Sequence, residues 1–335
     1  MSNGVGIARA YPNMALVKYW GKRDEAMMLP AAGSISMTFD TYATTTRVEL
    51  DPTAQSDTVE LNGQVAGGDA AARVVAFLDI VREMAGSQSR AHTVTVNEAP
   101  TAAGLASSAS GFSALAVAAS RAYGLDLDQA ALSRLARRGS GSAARSVVDG
   151  MAIWHAGDTD VESFAEPIDA PDMRLVIVTV NAAQKAVSSR EAMRRTAATS
   201  PFYGEWVTCT EETLERMVAA CASGGVDEIG RIAETHALRM HAVIQSCDPP
   251  IRYLSPRSHE IFDAVAALRD AGTTAWATAD AGPNVAVLTT PAEADAVAGA
   301  LADLGTVRVV GPGHGARAID EETARAAFDA ARSGT

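Results

Sequence analysis

Between Pro100 and Gly111 the chain reads PTAAGLASSASG, and no other stretch restricts its fold so strongly. Side chains this small let a backbone come close to a ligand. An alanine-rich run follows at once, Ser113 to Ala119, so the loop is expected to open a helix. A helix start exposes unpaired N–H groups at the positive end of the macrodipole. Serine hydroxyls added to that end suit it to phosphate oxygens. The Gly-Lys-Ser/Thr that completes a Walker loop is missing. The alternative reading is a glycine-tolerant turn leading into a buried helix.

A chain of 335 residues is long for one hydrophobic core and suits two domains sharing a cleft. No apolar run approaches the roughly 18 residues of a membrane span, and MSNGVGIARAYPN lacks an apolar signal core. Cys209, Cys221 and Cys247 form an odd, scattered set without metal or disulfide spacing, from which a cytoplasmic location is expected. With 28 basic and 40 acidic side chains the net charge is −12, which argues against bulk nucleic-acid or anionic-membrane binding. Basic islands then become informative: Lys18, Lys22 and Arg23; Arg190, Arg194 and Arg195; and Arg145 alone among small residues. They point either to a concentrated anionic ligand or to ordinary solvated charges.

The first third reads as strands at Thr44–Leu50, Thr58–Leu61 and His92–Asn97, with helical spacing over Val74–Met84. Helices are expected at Gly111–Tyr123 and Ala130–Arg138, and a buried strand at Met173–Val180. Beyond it come helices over Glu191–Ala198, Trp206–Cys221, Val226–Ile244 and Ser258–Ala271. A strand pair, Thr274–Thr278 and Val285–Thr289, closes around Asp280, and a helix-strand pair follows at Ala292–Leu304 and Val307–Val310. The domain boundary is placed near residue 183.

Four segments carry candidate chemistry. In RGSGSAARSVVDG, Arg145 is expected in or near the first turn of a helix, where a cation is disfavoured unless an anion faces it; it could instead pair with Asp149. Ser188 and Glu191 have capping-box spacing, so Arg190 repeats the anomaly. Asp280 sits in a tight Asp-Ala-Gly-Pro-Asn turn, either bonded to its own backbone or aimed into a cleft as a base. NMALVKYWGKRD joins Tyr19 and Trp20 to Lys18 and Lys22, which share a face only if helical. His236 and His241 have no metal spacing and read as structural; the metal expected is Mg²⁺ travelling with nucleotide phosphates.

Taken in order, NMALVKYWGKRD, PTAAGLASSASG, RRGSGSAARS, VSSREAMRRTAATSPFY, HALRMHAVIQSCDPPIRYL and DAGPN closely resemble the diphosphomevalonate decarboxylases of the GHMP kinase superfamily. The resemblance implies an α+β fold of two GHMP kinase-like domains, here 1–183 and 184–335, with the active site in the cleft between them. It implies ATP-dependent decarboxylation of (R)-5-diphosphomevalonate to isopentenyl diphosphate with ATP and Mg²⁺, and an assembly that is often a homodimer. Asp280 matches the catalytic aspartate and Arg145 the arginine holding the substrate carboxylate, with Lys22 grouped beside them. Tyr19, Lys22, Ser140, Ser142, Ser189, Arg190 and Met193 match substrate-site positions, Arg190 on the diphosphate. Pro100, Gly104, Leu105, Ala106, Ser107, Ser108 and Ser110 match the loop on the ATP phosphates. Ala31-Ala32-Gly33 departs from the polar stretch that often precedes the family's Ser-x-Ser, whose serines remain as Ser34 and Ser36.

Overall fold

In the computed structural model, which describes residues 4–98, 107–180 and 187–333, short strands open the chain. They are β1 (Val5–Ala10), β2 (Asn13–Val17), β3 (Lys22–Asp24), β4 (Leu29–Pro30), β5 (Ser34–Thr38), β6 (Thr44–Asp51), β7 (Thr58–Leu61) and β8 (Gln64–Val65). Helix α1 (Gly68–Ala85) and β9 (Arg90–Asn97) lead to α2 (Ser107–Ala122), α3 (Gln129–Gly139) and a 3-10 helix, Gly141–Val147. Strands β10 (Met151–Trp154), β11 (Ala165–Pro167) and β12 (Arg174–Thr179) follow. Helices α4 (Ser189–Thr199), α5 (Tyr203–Ser223), α6 (Val226–Gln245) and α7 (Pro256–Asp270) come next. The chain finishes through β13 (Trp276–Thr278), β14 (Val285–Thr289), α8 (Ala294–Ala300), β15 (Thr306–Val310), β16 (Arg317–Ala318) and α9 (Glu321–Ser333).

Three larger sheets organise these elements, in the orders β16-β1-β6-β9-β7-β8, β11-β10-β5-β2 and β13-β14-β12-β15, and β3 and β4 form a two-stranded pair of their own. Helix α2 lies on the first sheet, and its alanines allow an unusually close approach: a Cβ on Gly6 would stand 2.0 Å from the Ala118 carbonyl oxygen. Strand β12 shows why the middle of MRLVIVTV, Leu175 to Val178, is apolar without a break. Leu175 and Ile177 face one core with α6 residues Ile229 and Ile232, while Val176 and Val178 face another with Ile261, Val265 and Val297. Both faces of the third sheet are therefore buried. The first of these cores also takes Leu16, Ile35, Met37 and Phe39 from the second sheet, so one apolar layer joins the halves.

Strand pairing crosses the expected boundary near residue 183. Strand β12 precedes it yet pairs with β14 and β15. Strand β16 follows it yet pairs with β1. The helices expected after residue 189 are all present: α4 and α5 run a few residues longer, α6 and α7 match to within two residues at either end, and the helix expected at Ala292–Leu304 shortens to α8 and a 3-10 turn, Ala302–Leu304; strands such as β1, β2, β5, β10 and β16 and the closing helix α9 are additions.

Helix α6 buries both His236 and His241, as expected for structural histidines. Burial, reinforced by the nearby Lys18 charge, brings His236 down to about 3 and His241 to about 4. An unfolded histidine titrates near 6.5. As the pH falls below that value the unfolded chain takes up protons that the folded protein refuses, so stability is lost. Between pH 6.5 and 5 each histidine should cost about 1–2 kcal/mol of unfolding free energy. Urea melts across this range check it, and His241→Asn should remove about half of the slope; a flat profile for the wild-type protein would contradict the burial argument.

Candidate active site

Strict alternation along β2 would send Asn13, Ala15 and Val17 to one side and Met14, Leu16 and Lys18 to the other. The register slips between Ala15 and Val17 against β5. Met14, Leu16 and Val17 all enter the core, and Lys18 rejoins Asn13 and Ala15 on the wall of a cavity of about 310 Å³. A bulge of this kind re-aims a side chain. The Lys18 ammonium is 1% exposed and donates to the Ala15 carbonyl at 2.7 Å and to Asp280 Oδ1 at 2.8 Å. Burial lowers its pKa; Asp280 opposes that shift and Arg145 adds to it.

Asp280 hangs from the turn joining β13 and β14, where the Gly282 N–H closes on its carbonyl at 2.7 Å. Its side chain is 42% exposed and reaches the ammonium across the cleft, so the backbone closes the turn while the carboxylate faces the cavity.

Arg145 lies opposite, fully enclosed. Nε donates to Ser36 Oγ at 2.9 Å and to Asn13 Oδ1 at 3.3 Å, Nη1 to Ser34 Oγ at 2.6 Å, and Nη2 to Asn13 Oδ1 at 3.1 Å. Ser34 and Ser36 share the inner face of β5 by period two, with Ile35 and Met37 in the core. Every one of these acceptors is neutral, and among the described residues no carboxylate forms a salt bridge with Arg145. Desolvation accordingly brings it down to about 10. The structure corrects the reason for singling it out: Arg145 occupies the last turn of the 3-10 helix, Gly141–Val147, not a helix start. Its alternative partner, Asp149, accepts from the Gly315 N–H at 2.6 Å instead.

The rest of the wall gathers most of the predicted residues. Tyr19, Lys22, Ser140, Ser142, Ser189, Arg190, Met193 and Ser108 all line the cavity. Tyr19 packs edge-on to Trp154 at 4.9 Å, and its buried hydroxyl has no partner among the described residues; burial raises its pKa. Gly21, at φ 113, turns the chain between Trp20 and Lys22, and a Cβ there would overlap the Tyr203 hydroxyl at 1.8 Å. Lys22 pairs with Glu25 at 2.8 Å, and that bond holds the Glu25 carboxyl below its usual range. Lys18 and Lys22 meet at the cavity without a helix between them. Arg190 does stand in the first turn of α4, behind the Ser188 N-cap, whose hydroxyl accepts from the Glu191 N–H at 3.2 Å. The Glu191 carboxylate turns to Arg195 and Arg194.

At the other end, Ser108 Oγ lies 3.2 Å from Ser140 Oγ at the start of α2. Ser110 is 1% exposed, shares a 2.7 Å hydrogen bond with Thr44 of β6 and is not among the described residues that line the cavity. Pro100, Gly104, Leu105 and Ala106 lie outside the described residues, as does the Ser107 side chain.

Two contributors escaped the sequence reading. Arg73, from α1, lines the cavity with its guanidinium 4.9 Å from the Phe112 ring and Nη2 on the Gly139 carbonyl at 3.2 Å. Asn13 bridges Arg145 to Ser146. Lys18 was seen as one of an island but not as the partner of Asp280; a lysine at the end of the apolar run MALV was the available signal. Among the described residues the wall thus carries Lys18, Lys22, Arg73, Arg145 and Arg190 against Asp280 alone of the acidic residues, in a chain of net charge −12.

Comparison with known proteins identifies the family. Residues 10–165 match the diphosphomevalonate decarboxylase-like N-terminal domain, and residues 175–312 match the mevalonate 5-diphosphate decarboxylase C-terminal domain. The diphosphomevalonate decarboxylase of Ganoderma lucidum is 34% identical over 85% of this chain and 78% of its own. The phosphomevalonate decarboxylase of Haloferax volcanii is 33% identical over 95% of this chain and 98% of its own. A solved structure of MDDEF in complex with MVAPP, AMPPCP and magnesium superposes with a TM-score of 0.91 at 39% identity, over 94% of this chain and 99% of that one. The mevalonate diphosphate decarboxylase of Staphylococcus aureus gives 0.91 at 37% identity, over 94% and 98%. With the fold shared over nearly its whole length and both family domains matched in order along it, the chain belongs to the diphosphomevalonate decarboxylase family.

Proposed function

We propose that this chain catalyses the ATP-dependent decarboxylation of (R)-5-diphosphomevalonate to isopentenyl diphosphate, with release of ADP, phosphate and CO₂. The observation that carries the reading is the buried Arg145, bound only to neutral acceptors and facing the same cavity as the Lys18–Asp280 pair. A guanidinium so placed calls for an anion from outside the protein. A substrate carboxylate meets that need, and the family membership supplies the substrate class.

The roles follow from position. The tertiary 3-hydroxyl is a weak nucleophile, which Asp280 orients and whose proton it takes as the oxygen attacks the γ-phosphorus and ADP leaves. The Lys18 ammonium holds the carboxylate in place and adds positive charge where phosphate charge builds. The C3–O bond then breaks, phosphate departs, and the electrons of the C–CO₂⁻ bond become the new double bond. Arg145 fixes the carboxylate so that the breaking bond lines up with the emptying orbital. Lys22, Arg190 and Arg73 receive the diphosphate end, with Tyr19, Ser140, Ser142, Ser189 and Met193 shaping the pocket around the carbon chain.

Ser108 and the N-terminal turn of α2 are placed to take ATP phosphate oxygens. No group of three or more His, Cys, Asp or Glu side chains suited to a metal occurs among the described residues. ATP would bring Mg²⁺ held mainly by its own phosphates and water, an arrangement that asks few ligands of the protein. Bound there, the ion would neutralise phosphate charge. No helix among the described residues is long and apolar enough to cross a membrane. A cytoplasmic setting accords with the three free thiols, and family kinship supports a homodimer. For the domains, strand pairing supports a hand-over before Arg174 with the last strand returning to the first sheet.

A second reading, decarboxylation of 5-phosphomevalonate, has its support in the Haloferax relative, which matches almost end to end. The number of unshared cations at the wall favours the diphosphate. CO₂ and ADP release measured with mevalonate and its 5-phosphate and 5-diphosphate decide between them. Release of both products is expected with the diphosphate; ADP without CO₂ would leave a kinase, and neither product would leave a nucleotide-binding protein.

Four variants separate the roles. Asp280→Asn should lower kcat by about 10²–10⁴ with little change in ATP affinity, and Lys18→Met should lower it in the same direction. Arg190→Ala should raise KM for the diphosphate about 10–1,000-fold, the loss of a charged contact worth about 2–4 kcal/mol. Arg145→Ala should act mainly on kcat; a pure KM effect would remove carboxylate alignment from its duties.

A further inference from the structure

One buried histidine grips the segment that carries Lys18, and the scheme above leaves it unused. His236 Nδ1 takes the Lys18 backbone N–H at 3.0 Å. A backbone N–H can only donate, so Nδ1 is bare and the ring proton sits on Nε2. Nε2 lies 3.1 Å from Thr210 Oγ1. The Thr210 hydroxyl spends its own proton on the Trp206 carbonyl at 2.7 Å, leaving its oxygen to accept. The imidazole is thereby fixed as a single neutral tautomer. Trp206 stacks on it at 4.5 Å and sends its indole N–H to the Trp20 carbonyl at 3.0 Å. Helices α5 and α6 thus hold the 18–20 segment at alternate residues, by an N–H and by a C=O.

The hold falls where the sheet lets go. The last ladder pair of β2 is Val17 with Ile35, just past the register slip, so β5 does not fix the Lys18 backbone. Side-chain packing alone would be served by an apolar ring; two directed hydrogen bonds set a position. Resting on the function proposed above, we propose that His236 is a positioning residue, a neutral acceptor that fixes where Lys18 leaves β2 and so keeps its ammonium against Asp280. Burial, with the Lys18 and Arg239 charges added, brings the imidazole down to about 3, so the acceptor persists across ordinary working conditions.

The test combines spectra with kinetics. Long-range ¹H–¹⁵N spectra of the ligand-free protein should show the Nε2–H tautomer at His236 and slow exchange of the Lys18 amide. His236→Asn keeps an acceptor near the Nδ1 position and should hold kcat within about threefold. His236→Leu should lower kcat roughly 10–100-fold, as for a buried donor left unpaired, with KM for ATP within about twofold and faster Lys18 exchange. If His236→Leu does not fold, Thr210→Val removes the acceptor for Nε2–H alone and should shift exchange and kcat the same way by less. Equal losses in the Asn and Leu variants, or unaltered Lys18 exchange in Leu or Val, would overturn the proposal. If the wild-type protein released no CO₂ from any phosphorylated mevalonate, the function above would fall, while the tautomer and Lys18 exchange would still decide the role of His236.

Discussion

An ammonium withdrawn almost wholly from water and answered by one carboxylate from the other side of the cleft is the interaction on which the site is built. Lys18 reaches the cavity only because β2 slips register, and Asp280 only because the β13–β14 turn points inward. Paired charges of this kind seldom add net stability, since desolvation offsets most of their attraction. Burial lowers the Lys18 pKa, and Asp280 is the largest influence against that shift. The arrangement is therefore better explained by what it does to a ligand than by what it does for the fold. It also ties the two halves at their point of contact, beside the apolar layer shared by the second and third sheets.

The surrounding charge tells the same story on a larger scale. A protein with twelve excess acidic charges concentrates, among its described residues, five cations and one carboxylate around a single cavity. Inside a cleft with low-dielectric walls, such a cluster focuses potential and draws in anions. The neutral cage of Asn13, Ser34 and Ser36 orients the Arg145 guanidinium without cancelling its charge. An aspartate in that cage would have satisfied the arginine and closed it to substrate.

The later helices were legible in the sequence because long periodic runs such as Val226–Ile244 average out local noise. The strand at 174–179 was legible because burial on both faces leaves only apolar residues between Arg174 at its start and Thr179 at its end. Local phase was harder. Ser108 and Ser110 look equivalent in PTAAGLASSASG, yet a helix that begins at Ser107 sends one to the cavity and the other to Thr44 of β6. Arg145 was chosen for a helix-start anomaly that a 3-10 turn does not present, while its surroundings justify the choice on other grounds. The bulge in β2 has no signature in NMALVKYW, so Lys22 was weighted above Lys18. Arg73 was passed over because one arginine in an amphipathic helix carries no local mark; only the packing of α1 beside α3 brings it to the wall.

Strand β16 slots antiparallel against β1, and α9 lies over β6 and β9. The earliest-made sheet therefore keeps an open rim until the final described elements have been synthesised. During translation that bare edge of unpaired amides would be the natural place for misassociation, and it stays uncovered until β16, far along the chain from β1, arrives to pair with it.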